Sequence, residues 1–188
     1  MRCFVAIELP QEVRDGLAGL QERLSSVGRA VRWTRTDQIH LTLKFLGELP
    51  DDKVPALCEA AGGVARRFAP FEFEVGGTGC FPPGGAARIV WAGVLDPPQA
   101  LIDCQEACEQ AYGALGFKRE NRRFHPHLTV GRVRDPRASR EIRAAVESEG
   151  QFSAGGFVAD ELVLFQSILS PTGPTYVVIS RAPLSGSG

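Results

Sequence analysis

The sequence lacks long hydrophobic runs, and it lacks the cysteine patterns of disulfide-bonded and zinc-binding proteins. No apolar stretch reaches the roughly 18 residues of a membrane-spanning helix. The apolar run at the N-terminus is interrupted by Glu8 and Pro10, which is not typical of a signal peptide. Five cysteines are present without any Cys-x-x-Cys pair, so we expect neither a disulfide framework nor a zinc knuckle. Reduced cysteines predict a cytoplasmic protein.

Net charge is also nearly absent, at −1 over 188 residues, which argues against a protein that binds nucleic acid indiscriminately. The charge is unevenly distributed, however. Residues 118–143 contain nine basic and three acidic side chains, a local charge of +6. This segment is either a solvated face or a field that steers an anionic substrate toward one wall of a cleft.

Hydrophobic periodicity predicts an alternation of strands and helices. The predicted strands are residues 2–8, 31–34, 39–46, 71–75, 88–94, 127–133, 157–169 and 175–180, with the last two forming a hairpin. The predicted helices are residues 10–26, 53–68, 96–115 and 136–149, and residues 76–85 form a loop rich in glycine and proline. We therefore expect an α+β fold with mostly antiparallel sheets.

Only three histidines occur, and two of them begin the same short pattern. His40 opens His-Leu-Thr-Leu, and His127 opens His-Leu-Thr-Val, 87 residues later. Residues i and i+2 of a strand point to one face. Each histidine therefore shares a face with its threonine, Thr42 or Thr129, while the apolar residues between them anchor the strand. If two related halves meet, two imidazoles and two hydroxyls line one cleft.

Such a group of side chains suits transfer at phosphorus. An imidazole titrates near pH 6.5, so one ring can accept a proton from water while the other donates to the leaving oxygen. The threonine hydroxyls can donate to the non-bridging oxygens, where negative charge develops. The chemistry requires no metal, and we predict no cofactor. Taken singly, either histidine could instead be a structural residue of its strand.

At these motifs the chain resembles the 2H phosphoesterase superfamily, and in particular the bacterial and archaeal RNA 2',3'-cyclic phosphodiesterases, also called 2'-5' RNA ligases. The resemblance includes residues 2–10, 39–47, 88–93, 125–132, 164–167 and 171–173. It implies one bilobal α+β domain spanning residues 1–188, with two pseudo-symmetric lobes around a central cleft. Each lobe contributes one motif.

The resemblance also implies the activity, which is hydrolysis of a 2',3'-cyclic phosphate at an RNA end to leave a 2'-phosphate. It implies that His40 is the proton donor and His127 the proton acceptor, a division that the two nearly identical motifs do not reveal by themselves. Thr42 and Thr129 match the phosphate-binding threonines. The expected partner is an RNA or oligonucleotide with a cyclic phosphate end, bound by a monomer.

Weaker candidates surround the motifs. His125 could contact phosphate, orient His127 or simply be exposed, and Arg132 could bind phosphate or form a surface ion pair. Phe45 and Trp33 could stack on a base, although core packing is the favoured interpretation for both. We also expect Ser167 and Tyr176 to approach the cleft from the last hairpin.

Three alternative functions remain open at this point. His125 and His127 could form a metal-binding pair, although no third ligand stands at a telling spacing. The chain could bind RNA without catalysis. The same cleft could also join RNA through a 2'-5' bond, or open cyclic phosphates on small nucleotides.

Overall fold

The computed structural model describes residues 1–171 and 173–187. Thr172, which belongs to one of the segments of resemblance, and Gly188 lie outside the described residues. The strands are β1 (Arg2–Ile7), β2 (Val31–Trp33), β3 (Leu41–Glu48), β4 (Phe71–Phe81), β5 (Ile89–Leu95), β6 (His127–Val133), β7 (Ser153–Ala159), β8 (Glu161–Ser170) and β9 (Gly173–Pro183). The helices are α1 (Gln11–Arg23), α2 (Val54–Ala65), α3 (Gln99–Ala114) and α4 (Ser139–Ser148).

The strands form two antiparallel sheets. The first has the order β3-β1-β8-β9, and the second has the order β2-β6-β5-β4-β7. Helices α2 and α3 pack on the first sheet, while α1 and α4 pack on the second. The predicted α+β class with antiparallel sheets is therefore confirmed.

The helices form where the apolar spacing predicts them. In α1, Val13, Leu17 and Leu20 lie on one stripe and are fully buried. Pro10 occupies the N-cap, where its missing N–H leaves no helical hydrogen bond unmade. Gly116 follows α3 with a φ of 90°, the left-handed conformation that closes many helices. Helix α1 ends at Arg23, and 3-10 turns continue to Ala30.

Two predicted segments were wrong. The expected strand 157–169 is two strands, because the chain leaves the second sheet after Ala159 and enters the first at Glu161. The expected loop 76–85 is largely strand, since β4 continues to Phe81. Gly79 allows close approach within the sheet, because a side chain there would collide with the Trp91 ring.

The two sheets meet where β3 contacts β6, which are the two strands of the histidine motifs. In the turn that connects β2 to β3, Gln38 Nε2 donates to the Pro174 carbonyl of β9 at 2.7 Å. Each sheet takes strands from both halves of the chain. The description as one domain with pseudo-symmetric lobes stays a prediction. Within the described residues, no helix is long and apolar enough to cross a membrane.

Candidate active site

The two motifs occupy equivalent places at the start of their strands. His127 is the first residue of β6, whereas His40 directly precedes β3. The apolar residues behind them are buried in the main core, as predicted: Leu41, Leu43, Leu128 and Val130. The histidines and threonines themselves are only partly buried. The motif strands are thus anchored from behind and leave their polar side chains accessible.

Each imidazole is held by a backbone carbonyl two residues earlier. His40 Nδ1 lies 2.9 Å from the Gln38 oxygen, and His127 Nδ1 lies 2.8 Å from the His125 oxygen. A carbonyl oxygen can only accept a hydrogen bond, so Nδ1 carries the proton in both rings. Nε2 is therefore the atom that each ring has available for proton exchange with a ligand.

The His40 ring lies in an aromatic socket formed by the first sheet. Phe4 stacks on it at 4.6 Å between centroids, and Tyr176 meets it edge-on at 5.1 Å. Phe165 lies behind Phe4 at 5.2 Å. Burial lowers the pKa of His40 to about 4, against the opposing influence of its hydrogen bond to Gln38. The unliganded protein therefore holds His40 neutral at pH 7.

The His127 ring has a more open setting on the second sheet. Phe81 meets it edge-on at 4.9 Å, and the His125 ring lies 6.3 Å away. Trp91 in turn contacts His125 at 4.9 Å. Burial again lowers the pKa of His127, while its hydrogen bond to the His125 carbonyl opposes the shift. Both imidazoles are thus neutral at pH 7 before a ligand binds.

Thr42 and Thr129 lie on the two motif strands, β3 and β6. Thr42 pairs across the first sheet with Ala6, a residue of the small apolar cluster beneath His40. Thr129 pairs with Trp91 on β5. Both threonines are partly buried, and the apolar residues on either side of each are buried. This pattern is what the alternation of a strand predicts.

Positive charge approaches the site from both sheets. Burial raises the pKa of the Tyr176 hydroxyl, and the charges of Arg132 and Arg2 oppose that shift. Arg132 belongs to β6 and Arg2 to β1, so both guanidinium groups act on a residue that contacts His40. Tyr176 therefore contacts the His40 ring, as its expected approach to the site requires.

Phe45 does not pack in the core, contrary to the favoured interpretation. It is 69% exposed, and its ring lies 6.2 Å from that of Phe4. The reason is a bulge in β3. Ala6 pairs with Thr42 and Val5 with Lys44, so Leu43 is an extra residue that shifts the alternation. Phe45 consequently shares the face of Thr42, while Lys44 points inward and is 4% exposed.

The remaining candidates differ in their placement. Trp33 is partly buried and packs against the core, as the favoured interpretation predicted. His125 is exposed, and its carbonyl rather than its ring bonds His127. Ser167 pairs with Arg2 on one side and Tyr176 on the other. Among the described residues, no group of three or more His, Cys, Asp or Glu side chains is placed to hold a metal ion.

Sequence reasoning missed the aromatic surroundings of both rings. Phe4 and Trp91 lie in strands whose periodicity indicates only ordinary sheet, and Phe81 falls in the segment that was predicted to be a loop. For Phe4 and Trp91 the available signal was the resemblance, which covered residues 2–10 and 88–93, whereas Phe81 lies outside it. Which ring contacts which strand depends on pairing between segments far apart in the chain, and no local pattern records it.

The protein has two antiparallel sheets that contact each other through β3 and β6, the strands of the two His-x-Thr motifs. This arrangement is that of a phosphoesterase with two histidine motifs. The chain belongs to the LigT-like phosphoesterase family, which matches residues 7–91 and 94–176. His40 falls in the first matched segment and His127 in the second.

Individual relatives agree over nearly the whole length. A protein of Methanothermobacter thermautotrophicus named RNA 2',3'-cyclic phosphodiesterase is 32% identical over 176 residues, covering 94% of this chain and 95% of the relative. The crystal structure of TT0787 of Thermus thermophilus is similar with a TM-score of 0.85 and 28% identity, covering 100% of both chains. Escherichia coli LigT complexed with 3'-AMP has a TM-score of 0.78 and 28% identity, covering 98% of each chain.

Proposed function

We propose that this protein hydrolyses 2',3'-cyclic phosphate ends of RNA and leaves a 2'-phosphate. The observation that carries the proposal is the repeated anchoring of two imidazoles, on contacting strands, through Nδ1 to a carbonyl two residues earlier. Two rings that both present Nε2 suit one proton transfer to and one from the reacting phosphate. The name of the Methanothermobacter relative and the nucleotide bound to LigT support the substrate class.

The proposed reaction is a displacement by water at phosphorus. His127 Nε2 takes a proton from water, and the water oxygen bonds to phosphorus. The bond between phosphorus and the 3' oxygen breaks, and His40 Nε2–H supplies the proton to that oxygen. The phosphate remains on the 2' oxygen. One water is consumed, and the two rings end with their protons exchanged, so solvent restores the starting state.

The pKa shifts define what the substrate must contribute. His127 is neutral at pH 7, which is the state that a base requires. His40, with a pKa of about 4, is also neutral and must gain its proton before it can act as the acid. A bound phosphodiester carries a negative charge, which raises the pKa of a nearby imidazole. Substrate binding thus charges the acid in our proposal.

Other side chains complete the proposed site. Thr42 and Thr129 donate to the non-bridging oxygens, and Arg132 stabilises the anionic phosphate. His125 contacts the substrate beside His127, and the exposed Phe45 ring stacks on a nucleobase. The protein works without a metal or cofactor, as a monomeric single domain. Its five unpaired thiols fit a reducing cytoplasm.

Product analysis tests the proposal. An oligonucleotide ending in a 2',3'-cyclic phosphate is incubated with the protein, with and without EDTA, and the products are separated. We expect a terminal 2'-phosphate at the same rate in both samples. A 3'-phosphate product, a ligated product alone, or no turnover would each contradict the proposed reaction. Activity abolished by EDTA and restored by zinc would favour the metal-binding alternative.

A further inference from the structure

A buried ion pair lies directly beneath the site and takes no part in the proposed chemistry. Lys44 of β3 and Glu109 of α3 are each 4% exposed, and Lys44 Nζ lies 2.6 Å from Glu109 Oε2. Removing two charges from water is costly, and apolar residues of similar volume stabilise a core at least as well. Fold stability alone therefore gives no reason for an ion pair at this position.

Both charged groups also bond to the backbone of the segment that leads to His127. Lys44 Nζ donates to the Lys118 carbonyl at 2.6 Å, and the Glu120 amide donates to Glu109 Oε2 at 3.0 Å. Residues 118–126 form neither helix nor strand. These two bonds therefore tie an irregular segment to the helix and the strand beneath it.

The same group of side chains holds the bulge in β3. Gln105 Nε2 donates to the carbonyl of Leu43, the extra residue, at 3.3 Å, and to Glu109 Oε1 at 3.4 Å. The bulge turns Lys44 inward and leaves Phe45 on the face of Thr42. We call Lys44, Gln105 and Glu109 the buried clamp. It bonds the strand that follows His40 and the segment that ends at His127.

We propose that the buried clamp positions the two catalytic halves relative to each other, so that Lys44 and Glu109 are positioning residues for the reaction. The His125 carbonyl, which orients His127, belongs to the segment that the clamp ties down. If the ties are lost, the segment moves and His127 spends less time aligned with the phosphate. Misplacement of a catalytic group by about 1 Å can cost roughly 10²-fold in rate. This inference rests on the proposed function for its kinetic part.

The test replaces the pair with apolar residues, in Lys44→Met/Glu109→Leu, so that no uncompensated charge stays buried. We expect the amide of Glu120 to exchange with solvent at least ~10-fold faster. We also expect kcat on a cyclic phosphate oligonucleotide to fall at least ~10-fold, with KM within about threefold, because alignment rather than binding is lost. A folded pair variant with either exchange or kcat unchanged would overturn the proposal.

Two controls separate positioning from stability. Tyr112 lies on α3, as Glu109 does, and its buried hydroxyl donates to the Leu57 carbonyl of α2 at 3.1 Å. Tyr112→Phe removes this bond and should lower Tm without changing kcat. Glu106→Ala removes an exposed ion pair with Arg119 of the same segment and should change neither. A loss of kcat in Tyr112→Phe equal to that of the pair variant would also overturn the proposal.

An unfolded pair variant or an inactive wild-type protein still allows a test of the clamp. If the pair variant does not fold, Glu109→Gln keeps the shape and removes the charge, and we expect smaller changes in the same direction, with kcat at least ~3-fold lower. Unchanged exchange and kcat in that variant contradict the clamp. If the wild-type protein shows no turnover, the proposed function fails, and the exchange of the Glu120 amide still decides whether the clamp holds the segment.

Discussion

The two histidines share one motif and one anchoring device but have different surroundings. His40 is stacked on Phe4 inside an aromatic socket, and its pKa is lowered to about 4. His127 lies at a more open edge, next to the exposed His125, and its pKa is lowered by burial as well. The comparison teaches that a repeated motif fixes which atom faces the substrate, whereas the surroundings set how readily that atom holds a proton.

The largest expected effect is the loss of either ring. We predict that His40→Ala and His127→Ala each reduce kcat/KM by at least ~10²-fold, because each removes one of two proton transfers. Steady-state rates on a 2',3'-cyclic nucleotide measure this, with Trp33→Phe as a control away from the chemistry. Near-normal turnover by one variant would mean that the reaction does not need one proton transfer from each ring.

The lowered pKa of His40 should make the stability of the fold depend on pH in the acid range. The unfolded chain binds a proton at His40 near pH 6.5, and the folded protein binds it only near pH 4. The unfolded state therefore binds more protons between these values. The stabilising contribution is fully present above pH 6.5 and is lost as the pH falls toward 4.

The free energy of unfolding should fall between pH 7 and pH 4 in both wild type and His40→Leu. We predict that the fall is about 2 kcal/mol smaller in His40→Leu, after allowance for partial exposure of the ring. Urea unfolding at several pH values measures the difference, and Thr42→Val serves as a control because it adds and removes no titrating group. Parallel curves for wild type and His40→Leu would show that the socket does not hold the ring neutral.

Removing one hydroxyl should have a smaller effect. Thr42→Val and Thr129→Val nearly preserve shape and remove a donor, so we predict a fall in kcat of about 10-fold for each, equivalent to one hydrogen bond to a charged group. Rates and Tm are measured together. If only one variant is impaired, phosphate stabilisation belongs to one strand, and the comparison between the motifs becomes sharper.

The smallest predicted effect concerns Phe45. Phe45→Ala should raise KM for an oligonucleotide about fivefold, since stacking of a base on an aromatic ring contributes roughly 1 kcal/mol or more. Val158→Ala on β7 is a matched control, because Val158 is also exposed and lies on the other sheet. An unchanged KM would leave Phe45 without a role in binding.

Much of this architecture was predictable from the sequence. The repeated His-x-Thr pattern, the apolar residues behind it and the resemblance around it led to an α+β fold and to the correct family. The stripe of Val13, Leu17 and Leu20 placed the first helix. These inferences succeeded because the period of a strand or helix is a local property, which neighbouring residues record directly.

Other features depended on the tertiary structure. The crossing from one sheet to the other at Asp160 follows from pairing with distant strands, and the extension of β4 through its glycines comes from pairing with β5. The bulge at Leu43 turns Lys44 inward and leaves Phe45 exposed, against the interpretation that was favoured for Phe45. A single extra residue in a strand exchanges its two faces downstream, and nothing in the local pattern announces it.

The sequence by itself determined which groups are present and their spacing: two imidazoles, two hydroxyls and the apolar residues that bury their strands. Only the tertiary structure decided that the two strands meet and that burial lowers the pKa of His40. The physical reason is that contacts between strands, and the burial that they create, are set by segments distant in the chain.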